Sequence, residues 1–185
     1  MGASAYTKSL ITTFVQQHGA DIVSAITNTG LYFAAVVGQL SVESANGTSG
    51  LSQEANNYGG IKGDANDGVL MDTTEVQNGR TVSTKAYFKK YDNFPAFMAD
   101  YVSNLTDNDR YVSAGVFTAT SPEDQITKMV NAGYSTQTAK AYLAGGVGDR
   151  IAATRELFPM GQINSSATTP ACCIPTTVCI GGIQI

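Results

Sequence analysis

Charge is the first thing this chain lacks. Eleven Lys and Arg stand against fifteen Asp and Glu among 185 residues, a formal net of -4 with no basic cluster. A protein that grips nucleic acid needs a positive face against the phosphates, so that class of partner is excluded. Cysteine is also scarce. Cys172, Cys173 and Cys179 all fall near the C-terminus, where they cannot staple the main body, and their odd number leaves at least one unpaired within the chain. With no fourth ligand and no zinc-like spacing they predict no metal, and nothing else in the sequence asks for a cofactor. The single histidine, His18, lies at an expected helix end and reads as a surface or capping residue, not a base or a metal ligand. Long hydrophobic runs are missing as well. The most apolar window, Leu31 to Leu40, falls well short of the roughly 20 residues a membrane-spanning helix requires. The N-terminal "MGASAYTKSLITTFVQQHG" spaces its apolar residues helically, so neither a span nor a signal peptide is expected.

What is present is enough for one domain with its own core. Helical periodicity covers Tyr6 to Gln17, with His18-Gly19 as an expected ending, and again Asp21 to Thr29. "LYFAAVVGQLSVES" is apolar on nearly every face and predicts a buried central helix. A short helix follows over Thr48 to Ala55, with Ser49 as N-cap and Asn56-Asn57 closing it. Between Val69 and Phe88 the period changes to two around Asn78-Gly79, the signature of a hairpin turn. A two-residue turn there pairs Gln77 with Arg80, Glu75 with Val82 and Asp72 with Lys85. Helices resume over Phe94 to Leu105, after Ser121-Pro122 and up to Gly133, over Thr136 to Leu143, and over Gly148 to Leu157. Helices, a small β excursion and helices again predict an α+β domain of two lobes with a groove between them. The body should end near Met160, with residues 161–185 as a linker and cysteine-containing tail.

One carboxylate is oddly placed. Laid on a helix, Glu43 shares its face with Val36, Gln39 and Leu40, and it falls in the last turn, where the helix dipole opposes a negative charge. Both effects predict a buried acid that keeps its proton, which is what a general acid requires. The plainer reading is that Glu43 marks where a buried helix leaves the core.

The residues around it are more specific. Glu43-Ser44, then Gly47, Ser49 and Leu51, then Ala55-Asn56-Asn57 and Gly60-Ile61-Lys62 resemble, in register, the signature of the glucosaminidases of glycoside hydrolase family 73. These are the autolysin and flagellar-rod type enzymes that cut peptidoglycan. "TTEVQNG", "FKKYDNFPAFMADY", "DRYVSA" and "QITKMVNAGYST" resemble later family blocks. The likeness spans roughly residues 5 to 158. Gly59 departs from it, standing where the family usually carries an aromatic, and Tyr58 beside it is the natural substitute for a stacking surface.

The resemblance implies a lysozyme-like fold, mainly helical with a small β-hairpin lobe. It implies that Glu43 is the catalytic acid, that Glu75 is the second carboxylate, and that Tyr134 points into the groove. Asn57, Tyr58 and Lys62 would line the sugar subsites, although Asn57 also reads as a helix C-cap and Lys62 as a surface charge. The implied partner is the peptidoglycan glycan strand, cut after N-acetylglucosamine outside the cytoplasm, with no cofactor. A muramidase or lytic transglycosylase is the chemical alternative, and a wall-binding structural component of a virion or secretion apparatus is the non-catalytic one. Delivery through a holin, on a virion or by a secretion machine all fit, a phage product being the first expectation, and the tail is either a docking segment for a virion or secretion-apparatus partner or disordered.

Overall fold

The computed structural model describes residues 2–77 and 80–159, with the side chains of residues 74–81 outside that description. Helix α1 spans Ala5–Ile26, capped by the Ser4 hydroxyl, which accepts from the Thr7 amide. It is one helix, not two. The expected break at His18-Gly19 does not occur, because Gly19 is buried where α1 meets Phe33 and the helix runs on to bury Ile22 and Ile26. An interior glycine costs about 1 kcal/mol against alanine, less than burying either isoleucine contributes.

Helix α2, Phe33–Glu43, is the axis of the fold, buried without interruption from Phe33 to Ser41. A Cβ at Gly38 would stand 2.7 Å from the Ile151 Cγ1, so glycine lets a later helix close directly onto α2. Helix α3, Gly50–Ala55, has the expected Ser49 cap and ends at Asn56 in the left-handed conformation, φ 49°. Strands β1, Gly68–Gln77, and β2, Arg80–Lys89, form one antiparallel pair. Their register is the one read from the sequence: Gln77 with Arg80, Glu75 with Val82, Asp72 with Lys85. The Asp72–Lys85 ion pair is exposed, 3.7 Å apart, and so adds little stability. The Asn78-Gly79 turn and the tail from 161 onward lie outside the described residues.

Helix α4, Phe94–Thr106, starts at the Asn93 cap, whose side chain accepts from Ala96. The small helix α5, Asp109–Ser113, and a 3-10 turn at Val116–Thr118 follow. Helix α6, Pro122–Asn131, begins as expected, the Ser121 hydroxyl accepting from Asp124. The helix expected over Thr136 to Leu143 is shorter: α7 is Ala139–Tyr142, and it runs into a π-turn, Leu143–Val147, where Gly146 sits at φ 112°. Helix α8, Gly148–Leu157, packs on α1 and α2. Mainly helical with one hairpin, this is the architecture expected of a lysozyme-like domain.

An aromatic cluster joins α1 to α4. The Phe94 ring stacks on His18 at 4.1 Å between centroids, and Tyr58 meets both edge-on at 4.7 and 4.9 Å. His18 is therefore neither a surface residue nor a cap, but a half-buried member of this cluster inside α1. Burial lowers its pKa below the ordinary 6.5, opposed in part by the Asp21 carboxylate. The folded state thus prefers the neutral ring. Its stabilising contribution is complete above the unfolded value and is lost as the pH falls through 6.5 and past the folded value. The unfolding free energy measured in urea should fall between pH 7 and pH 5 with a slope below about 1.4 kcal/mol per pH unit from this group. His18→Phe should flatten that part of the profile, and an unchanged slope would remove His18 from the account.

Candidate active site

Glu43 is the last residue of α2, and the chain turns sharply just beyond it. Ala45, Asn46 and Gly47 lie in succession in the left-handed region, at φ 50°, 59° and 80°. For the two non-glycine residues that costs about 1–2 kcal/mol each. The turn is held by Ser44, whose buried hydroxyl donates to the Leu40 carbonyl at 2.7 Å and accepts from the Gly47 amide at 2.8 Å. Gln53 closes it from α3, its Nε2 donating to the Gly47 carbonyl. Strain held this firmly is characteristic of functional sites.

The turn corrects one expectation. Glu43 is exposed, not buried, while Val36, Gln39 and Leu40 on its helical face are fully enclosed. The helix leaves the core at this residue, and the carboxylate is held by a partner instead of by burial. The Tyr142 hydroxyl donates to Glu43 Oε1 at 2.6 Å. Tyr134, after the left-handed Gly133, has its ring 6.5 Å from that of Tyr142. Burial and then the Glu43 charge push both tyrosine hydroxyls well above their ordinary pKa, so each keeps its proton and serves as a donor. Behind them, Tyr101 on α4 donates to Gln39 Oε1 at 2.6 Å.

The structure thus brings Glu43 and Tyr134 together and adds Tyr142 and Gln39, neither singled out from the sequence. Gln39 had a signal: it is the one amide in the apolar run Leu31 to Leu40. Tyr142 had none, since it meets Glu43 across 99 positions of chain. Glu75 has its backbone in β1 opposite Val82, and its side chain lies outside the described residues.

The other expected residues build the base of the hairpin. Asn57, 1% exposed, donates to the carbonyls of Ile61 and Lys89, both at 2.9 Å, and accepts from the Ile61 amide at 3.0 Å. The helix cap is its neighbour Asn56. Tyr58, 7% exposed, belongs to the aromatic cluster and lies under the Gly47 turn, where a Cβ would come 3.3 Å from its ring. Gly59 rests on Phe97 and Leu40. Lys62 pairs its backbone with Phe88 and places its ammonium 4.2 Å from that ring. A hollow of about 480 Å³ between Asp100 and Asp109 contains none of these residues. Among the described residues no cluster of His, Cys, Asp or Glu could hold a metal ion, and no helix is long and apolar enough to cross a membrane.

Relatives share this arrangement of elements. The chain is 32% identical over 130 residues to the peptidoglycan hydrolase FlgJ of Escherichia coli, 66% of this chain and 41% of that protein. It therefore spans less than half the length of that relative. The structure superimposes on the glycoside hydrolase domain of Salmonella typhimurium FlgJ with a TM-score of 0.59 and 27% identity, covering 82% of this chain and 99% of that one. The catalytic domain of the autolysin Auto from Listeria monocytogenes gives 0.64 at 18% identity, covering 84% and 87%, and supports the fold alone. Residues 19–148, more than half of the chain, match the Glucosaminidase family, described as mannosyl-glycoprotein endo-beta-N-acetylglucosaminidase. The chain belongs to that family.

Proposed function

We propose that this chain is a peptidoglycan hydrolase that cuts the β-1,4 bond after N-acetylglucosamine, with Glu43 as the general acid. The observation that carries this reading is the hydrogen bond from Tyr142 to Glu43 Oε1 at the tip of the central helix. Because Oε1 accepts the hydrogen bond from the Tyr142 hydroxyl, the carboxylic proton belongs on Oε2, the oxygen left for a ligand. In the acid form Glu43 delivers that proton to the bridging oxygen as the bond from the sugar carbon breaks. The carboxylate left behind is stabilised by the same tyrosine.

Glu75 is the second carboxylate of this proposal. It either draws a proton from the attacking water or steadies the positive ring formed when the substrate's acetamido oxygen attacks the sugar carbon. Its place in a strand of the hairpin, joined to the helical body through the Lys62–Phe88 pairing, supports that role. Asn57 and Tyr58 act beneath the site by fixing the hairpin base and the Gly47 turn, and Lys62 by its place on the connecting segment. Action on the cell wall as a phage-associated lysin, with the tail as a docking segment, belongs to the same proposal.

Purified sacculi provide the test. The chain should convert sedimentable wall into soluble fragments. Wall that sediments with bound protein and releases nothing would make this a binding module.

A further inference from the structure

The turn that follows Tyr142 is one residue too long for an α-helix. Between α7 and α8 the Gly148 amide donates to the Leu143 carbonyl, five residues back, which makes Leu143–Val147 a π-turn. Such turns carry an extra residue inside a helical path, and they recur at functional sites. This one meets the end of α2 at two consecutive residues. Just before it, the Tyr142 hydroxyl donates to Glu43 Oε1 at 2.6 Å. Toward its far end Gly146, at φ 112°, lies so close to Val42 that a Cβ there would come 3.8 Å from the Val42 Cγ2.

Arg150 keeps the turn in that shape. It stands in the first turn of α8, and helical side chains lean toward the N-terminus. Its Nη1 folds back accordingly and donates to the Gly146 carbonyl at 3.4 Å, only 2.8 Å from where a Cβ of Gly146 would be. The placement is unfavourable in itself. A cation in the first turn meets the positive end of the helix dipole, the Arg150 Nε is buried without a partner, and among the described residues no carboxylate forms an ion pair with it. A side chain held so unfavourably calls for a compensating role, and the bond to the π-turn supplies one.

We infer that the π-turn is the spacer that brings Tyr142 onto Glu43, and that Arg150 is the positioning residue that holds the spacer in register. Its effect on turnover rests on the hydrolase reading, while the geometry stands independently. Arg150 acts through the tyrosine and not on the ligand.

The hydroxyl proton of Tyr142 reports on this directly by NMR. Hydrogen-bonded at 2.6 Å on a side chain 6% exposed, it should give a downfield signal in slow exchange with solvent, identified by its loss in Tyr142→Phe. Deleting Gly145 removes the extra residue and turns Tyr142 by about 100° relative to α8. The signal should then disappear, and kcat should fall as far as in Tyr142→Phe, about tenfold to a hundredfold. Gly145→Ala keeps the residue count in a place where nothing lies within 4 Å of the new Cβ, and should retain the signal. A deletion that leaves both the signal and the turnover in place would overturn the spacer.

Arg150→Met keeps the length of the side chain and removes its donors. It should speed the exchange of the Tyr142 proton and lower kcat about tenfold, the weight of one hydrogen bond, with KM little changed. Arg150→Lys keeps a cation and a donor for the same carbonyl, and should recover at least half of that loss. In a Tyr142→Phe background the effect of Arg150→Met should vanish. Additive losses, or a Tyr142 signal unmoved by Arg150→Met, would overturn the proposal, and these variants decide it alone if the deletion fails to fold. An inactive wild type whose Tyr142 signal still answers to Arg150→Met would sink only the proposed hydrolysis.

Discussion

Glu43→Gln should remove release of soluble fragments from purified cell walls, lowering kcat by about 10²–10⁴-fold, while the melting temperature stays within a few degrees of wild type. The substitution is nearly isosteric. Glutamine still offers an oxygen to the Tyr142 hydroxyl, so the hydrogen bond at 2.6 Å can persist. Glu43 is exposed, and exposed substitutions usually change stability by no more than about 0.5 kcal/mol. What disappears is the proton. The variant therefore separates the carboxyl group's acid chemistry from shape and folding. Retained turnover would reassign the acid, and loss of fold would show that the strained turn depends on the carboxylate itself.

Phe97→Ala should be the most damaging single substitution for stability, costing about 3–5 kcal/mol in a protein whose whole margin is about 5–15 kcal/mol. Phe97 is fully buried, and its ring lies 5.7 Å from Tyr58, 5.5 Å from Tyr91, 5.7 Å from Phe94 and 6.0 Å from Tyr101. Gly59 rests against it as well. No single neighbour can fill the space it leaves, so the cavity term adds to the lost transfer energy. Tyr101 leans on this ring and donates to Gln39, one helical turn before Glu43. Urea unfolding measures the loss. A cost near 1 kcal/mol would mean that the cluster collapses readily and does not support the site rigidly.

The parts of the fold legible in the sequence are those decided locally. The hairpin register follows from a two-residue period around its turn, and the Ser121 cap from a serine, a proline and an acid at fixed spacing. The buried length of α2 follows from a run with no polar face. Tertiary packing decided the rest. Gly19 has the look of an ending, but the ring of Phe33 from another helix makes it a contact. Periodicity told which face of α2 Glu43 shares, but not where that face leaves the core, since the left-handed turn over Ala45 to Gly47 sets the exit. Tyr58 read as a groove aromatic because its motif lies beside the acid. Phe14 and His18 from α1 and Phe94 and Phe97 from α4 enclose it instead. Tyr142 and Gln39 enter the site through hydrogen bonds spanning 99 and 62 positions, beyond any local pattern.

Cleavage after N-acetylglucosamine by the Glu43 centre is most directly tested by the sugar at each new chain end. Purified peptidoglycan is digested with the wild-type chain, the new ends are reduced with borohydride, and the fragments are read by mass spectrometry. N-acetylglucosaminitol ends, absent from a parallel Glu43→Gln digest, are the predicted result, and ends in N-acetylmuramitol or anhydro-muramic acid would contradict it.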